Sequence, residues 1–320
     1  MSSVRDRCSG GRRAPAALSM RVLTALLTLL STIGVRAATF ELPPAEFDLF
    51  GAVQFVEAAQ EETLLDIARR HDIGQEEILR ANPAVDRWLP GAGARVVLPS
   101  RYVLPNAPHR GLILNLPEMR LYYFPEPGPD QRREVQTYPV SIGRMEWSTP
   151  LGETKLVSKQ RNPSWRPPPS IRAEHAADGD PLPHVVPPGP DNPLGAYAMR
   201  LGIPGYLIHS TNKSYGVGMR VSHGCIRMLP EDIDLLFPQV PVGTAVRIIN
   251  QPAKAGWHGG DLYLEVHPPL EEDRMSSAAL RELAMLEIDQ ALFRRFGEID
   301  AVAMERALHE QSGIPTVISR

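Results

Sequence analysis

Two short stretches hold the residue types that do covalent chemistry, Ile208-His209-Ser210 and Ser222-His223-Gly224-Cys225-Ile226-Arg227. The 320 residues contain two cysteines, Cys8 and Cys225. Cys8 precedes an apolar leader read below as removed on export, which leaves Cys225 without a disulfide partner, to be explained as a thiol. A cysteine attacks as its thiolate but ordinarily titrates near about 8.5, so at neutral pH an imidazole must take the proton or steady the charge. His209 and His223 are the candidates. His223, two positions before the cysteine in a tight turn or extended segment, is expected to point its ring away from the thiol. His209 arrives from a separate apolar strand, Tyr206-Leu207-Ile208, and is the expected base. Ser210 offers a carbonyl or a hydroxyl to fix that base's tautomer. Gly224 lets backbone come close to a reacting carbonyl, so the amides of His223, Gly224 and Cys225 are expected to form an oxyanion hole. Arg227 has a planar fork that suits a substrate carboxylate, and Ser222 is grouped with it as substrate-binding.

Two plainer accounts compete. Cys225 can be a small buried hydrophobe, or His209, His223 and Cys225 can ligate a catalytic zinc. The sequence has no CxxC, HxxxH or HExxH pairing to support the metal. No metal and no cofactor is therefore expected.

The spacing of His209-Ser210 from the Ser222–Arg227 run resembles the signature of the YkuD-type L,D-transpeptidases. Further stretches, Pro139-Val140-Ser141-Ile142-Gly143-Arg144, Thr149-Pro150-Leu151-Gly152, Asn162-Pro163-Ser164-Trp165, the Pro187–Gly195 run and Ile208–Asn212, are similar to the ErfK/YbiS branch of Gram-negative envelope enzymes. The resemblance covers roughly 111–250. It implies that His209 is the base, that the Ser210 carbonyl orients it, that Cys225 is acylated and that the Ser222–Gly224 turn stabilises the oxyanion. It further implies a peptidoglycan L,D-transpeptidase. Cys225 would form a thioester with a tetrapeptide stem, release D-alanine, and pass the acyl group to an amine. That amine is an envelope-lipoprotein lysine, for anchoring, or the diaminopimelate of another stem, for cross-linking. A hydrolase that gives the same thioester to water, and an inactive wall-binding protein, carry the same motifs and stay open. Stem peptides and glycan are the implied partners. The net charge of −3 leaves no basic footprint for nucleic acid.

The elements that must position these residues fall into four segments. Residues 1–38 read as a signal peptide: Met20-Arg21, an apolar run from Val22 to Val35, and the small-residue pattern Val35-Arg36-Ala37 with cleavage after Ala37 or Ala38. A retained membrane anchor is the alternative, and either way the body lies outside the cytoplasm, in the periplasm. Residues 52–100 read as a small β-α-α-β module, with Thr63 as N-cap of the first helix and a second helix stopping at Pro83. They resemble a glycan-binding LysM module, although Ala59-Gln60-Glu61-Glu62 replaces the usual Pro-Gly-Asp; a purely structural module is the alternative.

Residues 109–250 read as the catalytic domain, a run of short strands with one clear helix, Pro230–Phe237. Ten prolines interrupt it between Asn162 and Pro193, a segment expected to cap the cleft, with Trp165 as platform or anchor. Thr211–Met219 is expected to be a mobile gate. Residues 251–320 read as a helical extension, its first helix over Arg274–Phe296 with Leu280, Ala284, Ile288, Leu292 and Phe296 four apart and Leu283 and Ala291 filling the three-residue steps of one stripe, its second over Ile299–His309. The fold class expected is α+β: a mainly β, YkuD-like β-sandwich with a LysM-like module and C-terminal helices.

Overall fold

A computed structural model describes residues 38–129 and 131–320. The expected leader over 1–38 lies outside the described residues except for Ala38. That residue opens β1 (Ala38–Glu41), which pairs antiparallel with a long strand of the main sheet.

Then come β2 (Leu49–Gly51), β3 (Gln54–Glu57), α1 (Leu64–Arg70), α2 (Gln75–Ala81), β4 (Arg95–Leu98) and β5 (Arg101–Val103). β3, α1, α2 and β4 make a β-α-α-β unit around Leu64, Ile67, Ile78, Val96 and Leu98. α1 starts at Thr63, whose hydroxyl accepts from the Asp66 amide at 3.1 Å while the Asp66 carboxylate accepts from the Thr63 amide at 3.0 Å. This reciprocal pair satisfies two donors that a helix start leaves open. After α2, Asn82 donates to the carbonyls of Ile78 and Val97, both at 2.9 Å, and accepts from the Val97 amide at 2.8 Å. One side chain thus ties the helix end to β4.

The main sheet is built from β6 (Gly111–Asn115), β7 (Arg120–Phe124), β8 (Glu134–Gly143), β9 (Gly152–Arg161), β10 (Tyr197–Leu201), β11 (Leu207–His209), β12 (Arg220–Ser222), β13 (Ile226–Met228) and β14 (Ala245–Ile249), interrupted by α3 (Pro169–Ala177) and α4 (Pro230–Gln239). Hydrogen-bonded neighbours run β8-β13-β11-β10-β9-β14-β6-β7, and β7 pairs with β8 again, so the path closes on itself. β8 and β9, ten residues each, are long enough to serve both halves of the expected sandwich. Closure leaves no free edge along that path. Leu112, Leu114, Tyr138, Val140, Ile208 and Ile226 fill the interior, with Ile233, Leu236 and Phe237 of α4 packed on them.

Three expectations need correction. The proline-rich segment is not without regular structure, because α3 lies inside it; Pro169 sits in the first turn, where a fixed φ and a missing N–H cost a helix nothing. Residues 251–320 are not simply helical: β15 (Ala253–His258) and β16 (Asp261–Val266) form a hairpin before α5 (Ser277–Arg294) and α6 (Ala301–Glu310), and β17 (Thr316–Val317) adds to it. α5 ends before Phe296, which is 87% exposed, and its buried stripe is Leu280, Ala284, Ile288 and Ala291. A strict four-residue step drifts off the face of a helix with 3.6 residues per turn, so Leu292 and Phe296 leave the buried stripe while the expected Ala291 stays in it.

Two buried ionic clusters join the parts. Arg120 of β7, fully buried, donates from Nε and Nη2 to the Glu77 carboxylate of α2 at 3.0 and 3.1 Å, from Nη2 to the Asp72 carbonyl at 2.7 Å and from Nη1 to Thr137 at 3.0 Å. Lys254 of β15 lies between Glu118 at 3.0 Å and Glu265 at 2.7 Å, and Glu265 also takes the amide of Val103. The first cluster welds the β-α-α-β unit to the sheet, the second the C-terminal hairpin.

Removing one partner of such a pair strands a buried charge. Arg120→Met is expected to destabilise the chain by about 3–5 kcal/mol in denaturant unfolding, and Arg120→Met with Glu77→Leu to recover part of that. A double variant less stable than Arg120→Met alone contradicts the assignment.

Candidate active site

β11 and β13 lie side by side and parallel, Ile208 opposite Ile226 and His209 opposite Arg227. Side chains alternate faces along a strand. Ile208, Ile226 and Met228 enter the core, so His209, Arg227 and Cys225 emerge on the opposite face. A base and a thiol sixteen residues apart in the sequence are thereby brought to one side of one sheet.

His209 is buried, and its Nδ1 lies 2.5 Å from the Ser210 carbonyl. A carbonyl only accepts, so Nδ1 carries the proton and Nε2 is left as the acceptor. Of the two groups Ser210 offered, the carbonyl holds the imidazole. Burial pushes His209 down to about 3, the Arg227 charge adds to this, and the Ser210 carbonyl opposes it. Cys225 is half-buried, with Sγ donating to the Gly205 carbonyl at 3.7 Å. Burial pushes its thiol up, offset in part by the Leu207 amide and by Arg227. At neutral pH the pair rests as thiol and neutral imidazole.

The turn before Cys225 corrects two expectations. Ser222 is fully buried; its hydroxyl donates to the Cys225 carbonyl at 2.5 Å and accepts from the Gly224 amide at 3.1 Å. Ser222 therefore braces the turn from inside and does not face a substrate. The Gly224 amide is already taken, which leaves the amides of His223 and Cys225 as the candidate oxyanion donors. Thr149 completes the brace: it accepts from the Gly143 amide at 3.0 Å and donates to the Gly224 carbonyl at 2.9 Å. Gly224 itself has φ +95°, and a Cβ there would lie 2.7 Å from the Tyr206 ring, so both backbone and space demand glycine.

His223 turns away from the thiol. Its Nε2 is 2.9 Å from the Glu174 carboxylate of α3, its ring meets Trp147 edge-on at 5.3 Å, and Arg144 pairs with the same Glu174. The cap segment thus touches the nucleophile turn through α3. Trp165 is half-buried and its backbone bonds Val186 in both directions, at 2.9 and 2.8 Å. Arg227 keeps its Nε buried and without a hydrogen-bond partner among the described residues. The expected gate is pinned at its far end: the amides of Gln75 and Glu76, at the start of α2, donate to the carbonyls of Val217 and Gly218 at 3.2 and 3.1 Å.

The zinc alternative fails on geometry. Among the described residues, His209, His223 and Cys225 do not bring their ligand atoms together; the group that does is Glu118, Glu265 and His267, with the Lys254 ammonium already on its carboxylates. Sequence reasoning missed Glu174, Trp147 and the roles of Arg144 and Thr149. The last two sit in stretches singled out for similarity, while nothing in the proline-rich segment marks Glu174.

A half-buried thiol, a neutral imidazole with a fixed tautomer on the same face and a turn braced from inside define a cysteine acyltransferase site. The L,D-transpeptidase catalytic domain of the YkuD family matches residues 109–248. The chain is 40% identical over 291 residues to the probable L,D-transpeptidase YcfS of Escherichia coli, covering 89% of each chain. It is 36% identical over 308 residues to the probable L,D-transpeptidase YbiS of the same species, covering 93% of this chain and 99% of that one. To the probable L,D-transpeptidase ErfK/SrfK, also from Escherichia coli, it is 38% identical over 306 residues, covering 94% and 97%. This chain belongs to the YkuD-type L,D-transpeptidases, in the ErfK/YbiS branch, and is a cysteine-dependent transpeptidase.

An imidazole that titrates at about 3 when folded and about 6.5 when unfolded lets the unfolded chain bind its proton first. His209 then contributes stability above about pH 6.5 that is lost as pH falls toward 3. The stability difference between the natural chain and His209→Gln is expected to shrink on acidification from about pH 7 to pH 4, measured as Tm at each pH; a difference that does not change with pH contradicts the buried neutral state. Gly224→Ala is expected to lower thiol acylation by about 100-fold or more in a chain that keeps its circular dichroism spectrum. Acylation at the natural rate contradicts the assigned turn.

Proposed function

We propose that this L,D-transpeptidase works on peptidoglycan outside the cytoplasm, with Cys225 as nucleophile, His209 as general base and the Ser210 carbonyl as the group that orients it. The reading is carried by one observation, the β11–β13 register that sets His209, Cys225 and Arg227 on a common face. The donor is a tetrapeptide stem. As the sulfur attacks the carbonyl between the L-centred diamino acid and the terminal D-alanine, the thiol proton passes to Nε2 of His209. The amides of His223 and Cys225 face the oxyanion. Collapse breaks the peptide bond, the imidazolium returns its proton to the leaving D-alanine amine, and a thioester remains on Cys225. An amine then attacks that thioester, His209 takes its proton, and the thiol is regenerated. A lysine of an envelope lipoprotein and the diaminopimelate of a second stem are the proposed acceptors. Arg227, whose buried Nε has no hydrogen-bond partner among the described residues, takes a substrate carboxylate.

The leader over 1–38 directs export to the periplasm. The module over 52–100 is a LysM module that docks the enzyme on glycan, the catalytic domain spans 109–250, and the unit over 251–320 supports it. Support for the module comes from the β-α-α-β order and from the Thr63 cap and Asn82 tie that hold it.

Incubated with tetrapeptide stem and a primary-amine acceptor, the chain is expected to release D-alanine and to show a thioester mass by intact-protein spectrometry. Cys225→Ala should give neither, and His209→Ala should acylate about 100- to 10,000-fold more slowly. Normal acylation of His209→Ala contradicts the base assignment.

A further inference from the structure

We propose that Arg144 and His223 form a carboxylate-binding subsite for the peptide substrate, and that Glu174 of α3 occupies it in the resting chain. The proposal rests on the acyl-transfer reading above and adds to it the group that reads a second substrate carboxylate.

One carboxylate spans the two donors, an oxygen to each: Glu174 Oε2 lies 2.9 Å from His223 Nε2, and Oε1 pairs with Arg144 Nη2. Both donors are indexed to the nucleophile. The Arg144 amide donates to the Ser222 carbonyl at 3.1 Å, Gly143 pairs with Ser222 across β8 and β12, and His223 is two residues before Cys225. The Trp147 ring edge holds the imidazole from one side. An anion bound there keeps a fixed distance from the reacting sulfur.

The occupant is built differently from the site. Glu174 comes from the proline-rich cap, and its side chain is about one-third exposed, at 32%. The guanidinium it touches is only partly used: Nη2, the atom on Glu174, also lies 3.3 Å from His223 Nε2. Arg144 Nε is buried with no hydrogen-bond partner among the described residues, and the nearest other carboxylate, Glu146, stands 3.8 Å from it, beyond hydrogen-bond reach. A fork holding a carboxylate through one arm has a second arm to offer, and an incoming carboxylate that takes Nε and Nη2 together makes the stronger bidentate pair. Exchanging one carboxylate for another leaves no charge stranded. It needs only that α3 withdraw Glu174, while Arg227 takes a different carboxylate.

The ligand chemistry is a peptide carboxylate. In the proposed donor it has two sources: the terminal D-alanine and the second carboxylate of the diaminopimelate. The test uses the full chain with a tetrapeptide donor as the free acid and with each carboxylate amidated singly, following D-alanine release. Glu174→Gln weakens the internal occupant, so KM for the free acid is expected to fall about fivefold with kcat unchanged. Arg144→Gln is expected to raise KM for the free acid about 10- to 100-fold and to become blind to amidation of one carboxylate, which identifies the source. Arg144→Lys, with charge but no fork, should recover part of the loss. If Glu174→Gln leaves KM unchanged or raises it, or if Arg144→Gln still discriminates every amide from the free acid as the natural chain does, the subsite is overturned and Glu174 is a strut. If the natural chain releases D-alanine from none of the donors, the acyl-transfer reading falls first and the subsite with it.

Discussion

The site depends on two residue pairs in a parallel ladder, Ile208 with Ile226 and His209 with Arg227. A slip of one residue in either strand would turn every side chain over. Ile208 would then face the cleft and His209 the core. What prevents the slip is not chemistry but packing: Ile208, Ile226 and Met228 are buried in the main core with the apolar face of α4. The hydrophobic effect thus sets catalytic geometry, because the same alternation that hides the isoleucines presents the imidazole and the thiol.

Burial also sets the electrostatic state. The imidazole is pushed down and the thiol up, and Arg227 acts on both in the direction that favours fewer positive and more negative charges. The resting pair is neutral, with the Ser210 carbonyl holding the tautomer that leaves Nε2 to accept. Proton transfer is then coupled to attack on the substrate, where a developing oxyanion meets the amides of His223 and Cys225. The turn that presents those amides is held from inside by Ser222 and Thr149, so its shape does not depend on bound substrate.

Much of this was legible in the sequence where short-range rules decide. A cysteine between a glycine and an apolar residue, a histidine on a neighbouring apolar strand, and a glycine in the nucleophile turn carry their meaning locally. So do the Thr63 cap and the Pro83 stop. What was not legible came from partners that no spacing rule specifies, some within one turn and some distant in the chain. Ser222 looks like a substrate contact until its hydroxyl is seen on the backbone of its own turn. The Thr211–Met219 stretch reads as a free gate until α2 is seen donating to Val217 and Gly218, and no local pattern announces that contact between Gly74 and Gly218 backbones. The hairpin of β15 and β16 is a different case. Its His258-Gly259-Gly260-Asp261 turn is a recognisable two-residue loop with both glycines at positive φ, and the longer helical pattern that follows outweighs it in the segment.

The most direct test of the central claim is the protonation state of the resting pair, read from the imidazole 15N shifts of His209 and the ultraviolet thiolate absorbance of Cys225 in the full chain. A neutral imidazole with its proton on Nδ1 and no thiolate absorbance at pH 7 is the predicted result. An imidazolium at residue 209 together with a thiolate at residue 225 at that pH would contradict the account.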